Sequence, residues 1–241
     1  MLDGSHPLVR RLGKQRYLFA SLVAILILQP LLSSDAASPF WRAILLIVIM
    51  IAGPLALATR RFDFYLSLVL GVLMVASRWL AQYVQADWWL WPGNFATVAF
   101  FMMLSVLLFR QQLLGNRQVT KETLVAAVNA YLCIGIMYAF AYHFLVQINP
   151  AAFSGDMLSG DRFDACIYLS FVTMTTLGYG DITPNTELAA VLTWTQAVVG
   201  QLYVALTVAR IVGVMASRHS EVLLREEEIV FEDESARPKM R

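Results

Sequence analysis

The sequence predicts an all-α membrane protein with six transmembrane helices and one short re-entrant helix followed by a loop. Three observations predict it. Of the 241 residues, 59% are hydrophobic and 15% charged, against ~45–50% and ~25% in a soluble domain. Five runs contain no Asp, Glu, Lys or Arg: Tyr17–Ser34, Ala43–Thr59, Trp88–Phe109, Thr123–Gly155 and Leu188–Ala209. Finally, 14 of the 18 basic residues fall in segments that share one side of those runs, the bias that orients a chain in a bilayer.

Composition also excludes several classes. So much apolar surface cannot be hidden inside one water-soluble domain of this size. A disordered chain or a secreted disulfide scaffold is equally excluded, since the two cysteines, Cys133 and Cys166, both stand in apolar stretches. A net charge of +1 argues against a nucleic-acid partner. No His, Cys or carboxylate group has metal-ligand spacing, and HExxH, GxGxxG and GxxxxGK[ST] are absent. No cofactor is expected.

A helix needs ~20 apolar residues to cross a ~30 Å hydrocarbon core. Six spans follow, near 17–34, 41–59, 63–84, 92–113, 122–148 and 187–217. The third is interrupted by Arg78. Pro30, Pro54 and Pro92 sit near span ends, where a missing amide donor matters least. The apolar run Ala165–Gly180 is too short to span, with a helical part ending near Thr175, and reads as re-entrant. The chain thus divides into an N-terminal segment (1–16), a four-span domain (17–115), a fifth and sixth span flanking the re-entrant helix (116–217) and an acidic tail (218–241). No internal repeat is visible.

Arg10, Arg11, Lys14 and Arg16 precede the first span. Arg60 and Arg61 follow the second, Arg110, Arg117 and Lys121 link the fourth and fifth, and five more follow the sixth. That side is cytoplasmic, so both termini lie inside and the re-entrant loop opens outside. The expected location is the plasma membrane, or the inner membrane of a bacterium. Basic residues, the apolar stretch 17–33 and Ser34–Ala37 also fit a signal peptide, but the run is long for one and Gln29-Pro30 interrupts it. We read it as a span.

The informative segment is Asp164-Ala-Cys-Ile-Tyr-Leu-Ser-Phe-Val-Thr-Met-Thr-Thr-Leu-Gly-Tyr-Gly-Asp181. It opens as an apolar helix and breaks at Thr176. Glycines at i and i+2 permit dihedrals that other residues avoid, so successive carbonyls can point toward one axis. Non-helical backbone at membrane depth is tolerated only where it is buried or lines a wet cavity. A row of aligned carbonyls is a cation site of hard oxygen ligands.

Thr176-Leu-Gly-Tyr-Gly-Asp181 resembles the signature of potassium channels, and the resemblance covers about 163–217. It implies that the carbonyls of Thr176, Leu177, Gly178 and Tyr179, with the Thr176 hydroxyl, replace the water shell of a potassium ion. Potassium is then the permeant ligand. One chain supplies one strand of carbonyls, so the resemblance implies a homotetramer in contact with membrane lipids. Gly178 and Gly180 would hold the strained backbone, Tyr179 would pack outward against the pore helix, and Asp181 would cap the outer mouth. Two departures stand out. Tyr168 and Leu169 occupy the place of a Trp pair in many relatives, leaving the aromatic cuff incomplete and putting filter rigidity in question. Val172 replaces a Glu that some relatives hold behind the filter.

On general grounds the re-entrant helix, about 163–175, aims its partly negative C-terminal end at the axis, which favours a cation there. The sixth span follows Thr183-Pro184, read as N-cap and first helical position. Gly200, near its middle, has two readings: the bend by which relatives open, and a small residue for close helix contact. Arg210 lies ~35 Å below Glu187, at the inner interface. It either snorkels to headgroups or contacts the gate or an anionic lipid. The acidic residues Asp35, Asp87, Asp156, Asp161, Asp164, Asp181 and Glu187 lie outside and would concentrate cations. The tail's acids read as a solvated segment.

The expected function is passive, potassium-selective conduction, with no enzymatic step. A subunit of a potassium-uptake transporter is a second reading, although such chains carry several filter-like loops and this one carries one. A non-selective cation channel is a third. A structural or enzymatic subunit is remote, because no pair of residues has the spacing of nucleophile and base. His143 reads as a packed residue of the fifth span.

Overall fold

The computed structural model describes residues 7–32, 38–57, 61–84, 90–114, 120–155 and 162–236. Seven helices appear in these stretches: α1 (Pro7–Leu32), α2 (Ser38–Leu57), α3 (Arg61–Val84), α4 (Leu90–Leu114), α5 (Lys121–Ile148), α6 (Arg162–Met174) and α7 (Glu187–Ala236). Two short strands, β1 (Phe153–Ser154) and β2 (Thr183–Pro184), pair antiparallel. Among the described residues, α4, α5 and α7 are long and apolar enough to cross a membrane, over Trp91–Gln112, Lys121–Ile148 and Glu187–Ser217. Shorter apolar stretches run along α1 (Gln15–Leu28), α2 (Ile44–Leu55) and α6 (Phe163–Met174).

Helix ends follow local chemistry. Thr120 caps α5: its hydroxyl accepts from the Thr123 amide while the Thr123 hydroxyl accepts from the Thr120 amide, a reciprocal box that satisfies two otherwise orphaned donors. At the other end Asn149 donates its amide to the Leu145 carbonyl. Pro150 follows and disfavours further helix at the residue before it.

Helix α1 packs on α2, α2 on α3 and α3 on α4, and both α1 and α4 lean on α5. The core is aromatic. Phe101 of α4 stacks on Phe140 of α5 at 5.7 Å, and Phe140 meets Phe163 of α6 at 4.5 Å. Buried amides tie the same elements. Gln15 of α1 donates to Gln111 of α4 (3.0 Å), and Asn129 of α5 donates to the Gln15 carbonyl (3.0 Å). In hydrocarbon an unpaired amide costs several kcal/mol, so these pairs hold α1 and α4 in register with α5.

Two helices extend beyond the spans expected from the sequence. Helix α1 begins at Pro7, so the N-terminal segment 1–16 is helical over its second half. Helix α7 is one 50-residue helix, ~75 Å long, running through the acidic tail to Ala236. Apolar content falls at Ser217, which sets the edge of the membrane stretch. Backbone conformation obeys a different rule: no Gly or Pro interrupts 214–237, and nothing there breaks a helix. The candidate signal-peptide boundary 34–37 and four of the acids expected outside, Asp35, Asp87, Asp156 and Asp161, lie outside the described residues.

Candidate functional site

The site grows out of the end of α6. The Leu177 amide donates to the Val172 carbonyl (2.9 Å) and the Thr176 amide to the Thr173 carbonyl (3.1 Å). This pair of bonds is the Schellman ending of a helix. Its penultimate residue needs a left-handed backbone and is usually glycine. Here it is Thr176, at φ 59°, a conformation a β-branched residue rarely takes. Its hydroxyl donates to the Thr175 carbonyl at 2.7 Å. A strained non-glycine residue persists only where its surroundings over-determine it, and such residues cluster at functional sites.

The left-handed conformation recurs at every second residue. Gly178 has φ 55° and Gly180 φ 77°. In a regular strand successive residues face opposite sides. Reversing the sign of φ at 176, 178 and 180 turns alternate peptide planes, which lets neighbouring carbonyls share one side. Glycine reaches this conformation without steric cost. The Gly178 amide also donates to Val172 (3.3 Å), so one carbonyl of α6 holds two amides of the loop. Residues 175–181 are all exposed, Tyr179 at 66%.

Tyr168, in the place of the missing Trp, supplies Asp181 with a partner. Its hydroxyl donates to an Asp181 carboxylate oxygen at 2.7 Å, and its ring lies parallel to that of Tyr179, 8° apart in plane. The hydrogen bond from Tyr168 holds the Asp181 carboxyl below the ordinary aspartate value, with help from the Ile182 amide. Neither indole of the Trp pair is present, but Tyr168 anchors the far end of the loop.

Beyond Asp181 the chain is clasped to the end of α5. Phe153 pairs with Pro184 and Ser154 with Thr183. The Ser154 and Thr183 hydroxyls are 2.6 Å apart, and the Asn185 amide donates to the Ala152 carbonyl at 2.8 Å. This pairing corrects the expected start of α7. Thr183-Pro184 is held extended in β2, and Thr186 caps the helix, accepting from the Ala189 amide at 3.3 Å. Glu187 stands in the first turn, where a negative charge is favoured.

Behind α6 lies a buried polar set that sequence reasoning did not single out. Gln196 of α7, wholly buried, donates to the Ser170 carbonyl (3.0 Å) and hydroxyl (2.7 Å) and accepts from the Tyr142 hydroxyl. Ser170 donates onward to the Gly135 carbonyl of α5 at 2.6 Å. The available signal was Gln196 itself, an amide within the charge-free run Leu188–Ala209.

Gly200 is buried. A Cβ there would stand 2.9 Å from Met174 Cγ and 3.2 Å from the Met174 carbonyl oxygen, a close contact between α6 and α7. Arg210 is half-buried and lies two turns below Tyr203, on the same face of α7. His143 packs its ring edge-on to Phe163 at 5.3 Å.

The comparison with known families agrees with this geometry. Residues 126–217, under half of the chain, match the family model described as an ion channel. No curated protein matches the chain. The matched stretch runs from within α5 to Ser217 of α7 and contains every element of the site. It is similar to ion channels, and points to passage of ions rather than to an enzyme.

Proposed function

We propose that the chain is one subunit of a homotetrameric, potassium-selective channel, with six helices crossing the plasma membrane, both termini cytoplasmic and passive conduction. The observation that carries this reading is the alternation of left-handed φ at Thr176, Gly178 and Gly180 directly after a short apolar helix. One chain offers one exposed strand with carbonyls free to share a side. Four strands around an axis would enclose an ion with carbonyl oxygens in place of its water shell.

Helix α7 supports assembly. Only 11% of its most apolar stretch is buried, against 61% in α5, and Leu188, Trp194, Leu202 and Val212 are each more than half exposed. In the proposed assembly that surface divides between the pore and neighbouring subunits. Asp181 and Glu187 are exposed at the outer end, and four copies would draw cations toward the mouth. Arg210 would lie near the inner mouth.

Flux tests the reading. Proteoliposomes holding the purified chain should pass potassium or rubidium far faster than sodium, and equal permeability overturns the proposal. A shared axis has its own test. Gly178→Asp places a side chain and a charge where four strands converge, so one such subunit should silence nearly every tetramer it enters. Current that falls only in proportion to the mutant fraction means independent subunits.

A further inference from the structure

Helix α7 touches its own subunit along a narrow stripe. Ala189, Gln196, Gly200 and Tyr203 are buried there, while Val191, Trp194, Val198, Leu202 and Val204 are exposed. Two of the four buried residues meet α6. Gln196 holds Ser170 by two hydrogen bonds, and Gly200, one turn on, receives Met174. Ser170 and Met174 are also one turn apart, so the helices are matched turn for turn. Val172 lies between them on α6, and its carbonyl holds the Leu177 and Gly178 amides.

A leucine at 196 would pack as well against a membrane core. The glutamine does something different. Its amide nitrogen donates to Ser170 and its carbonyl oxygen accepts from Tyr142, and Ser170 passes the linkage on to Gly135. A fully satisfied buried network admits one arrangement where apolar packing admits several. Resting on the channel reading above, we infer that Gln196 is a positioning residue for ion selectivity. Acting through Ser170, it fixes the depth of α6 and hence the spacing of the carbonyls from Thr176 to Tyr179.

The test uses the full chain in proteoliposomes and reads the rubidium-to-sodium flux ratio, together with tetramer content by native mass spectrometry. Tyr142→Phe removes the hydroxyl but leaves the Gln196–Ser170 bonds, and is the reference against which the double variant is read. Gln196→Leu combined with Tyr142→Phe strands no hydroxyl, and is expected to lower the ratio by about tenfold in intact tetramers. Ser170→Ala, which cuts the intermediary while retaining the α6 backbone, is expected to lower it as well. Adding Gln196→Leu to Ser170→Ala is expected to produce little more. A wild-type ratio in Ser170→Ala, or in an assembled Gln196→Leu/Tyr142→Phe tetramer, overturns the inference. Absence of selectivity in the wild type instead defeats the channel reading on which it rests.

Discussion

Tyr168 and Asp181 are joined by a 2.7 Å hydrogen bond from phenol to carboxylate, across the short loop that follows α6. The bond favours the charged carboxylate and so lowers its pKa. A group depressed in this way keeps its charge, and the contact it makes, above its own pKa and loses both as pH falls through it. In Tyr168→Phe the donor is gone. The Asp181 carboxyl then takes up its proton at a higher pH, nearer the ordinary aspartate value. Rubidium uptake measured against external pH should show an acid loss of flux whose midpoint moves upward in Tyr168→Phe. An unmoved midpoint would mean that Asp181 does not control the acid limb.

Gly200 and Gly213 predict opposite signs for the same change. Alanine is favoured over glycine in a helix by ~1 kcal/mol. At Gly213 a Cβ meets nothing within 4 Å, so Gly213→Ala should keep that gain in the subunit. At Gly200 the Cβ meets the carbonyl of the buried Met174, which cannot rotate away. Overpacking of this kind costs about 1–3 kcal/mol, so Gly200→Ala should lower the thermal unfolding midpoint of the protein while Gly213→Ala does not. Were Gly200 a bend alone, Gly200→Ala would shift open probability and leave the melt untouched.

The all-α class and the short helix before the loop were legible because hydrocarbon forces the backbone to satisfy itself within helices, and charge-free runs mark where that happens. Thr176–Asp181 was legible because two glycines flanking a tyrosine have a narrow set of conformational uses. Other features were not. Thr176 occupies a backbone position that local preference assigns to glycine. The Tyr168–Asp181 bond, the β1–β2 clasp and the Gln196 network depend on packing between distant residues, with Gln196 26 positions from Ser170 and 54 from Tyr142. Hydrophobic periodicity says which face is inward, but not which polar atom waits there. The tail's helix was not anticipated because its charge run was weighed for solvation, which says nothing of backbone conformation.

Tyr203 joins three helices. Its hydroxyl accepts from Gln112 of α4 at 2.9 Å and donates to the Ala127 carbonyl of α5 at 2.7 Å. It is thus a polar point at which α4 reaches α7. Tyr203→Phe deletes both bonds and leaves the buried Gln112 amide without its acceptor. Such a loss costs about 1–3 kcal/mol. Pairing it with Gln112→Leu removes the stranded amide as well, so the double variant should unfold at a higher temperature than Tyr203→Phe alone. The resulting coupling should fall in the range of ~0.5–3 kcal/mol seen for contacting residues. Strictly additive melts would mean that the contact contributes nothing.

Voltage dependence is expected to be weak. Steep gating draws on ~3–4 basic residues per subunit that move through the field, each contributing ~2.3 kcal/mol per 100 mV. Helix α4, the one that would carry them, has no Lys or Arg from Leu90 to Phe109, and Arg110 stands exposed near its end. The basic residue well inside the first four spans is Arg78 of α3, whose side chain lies outside the described residues. It is six positions from the end of α3 at Val84, ~9 Å along the axis and within reach of the headgroups for a snorkelling arginine. If Arg78 crossed the whole field in all four subunits, the proposed tetramer would gain about 9 kcal/mol per 100 mV. Moving a fraction of that distance gives the same fraction of the energy. Open probability should therefore rise shallowly with voltage in planar bilayers, and Arg78→Gln should leave the slope as it is. A steep sigmoid that flattens in Arg78→Gln would assign the first four helices to voltage sensing after all.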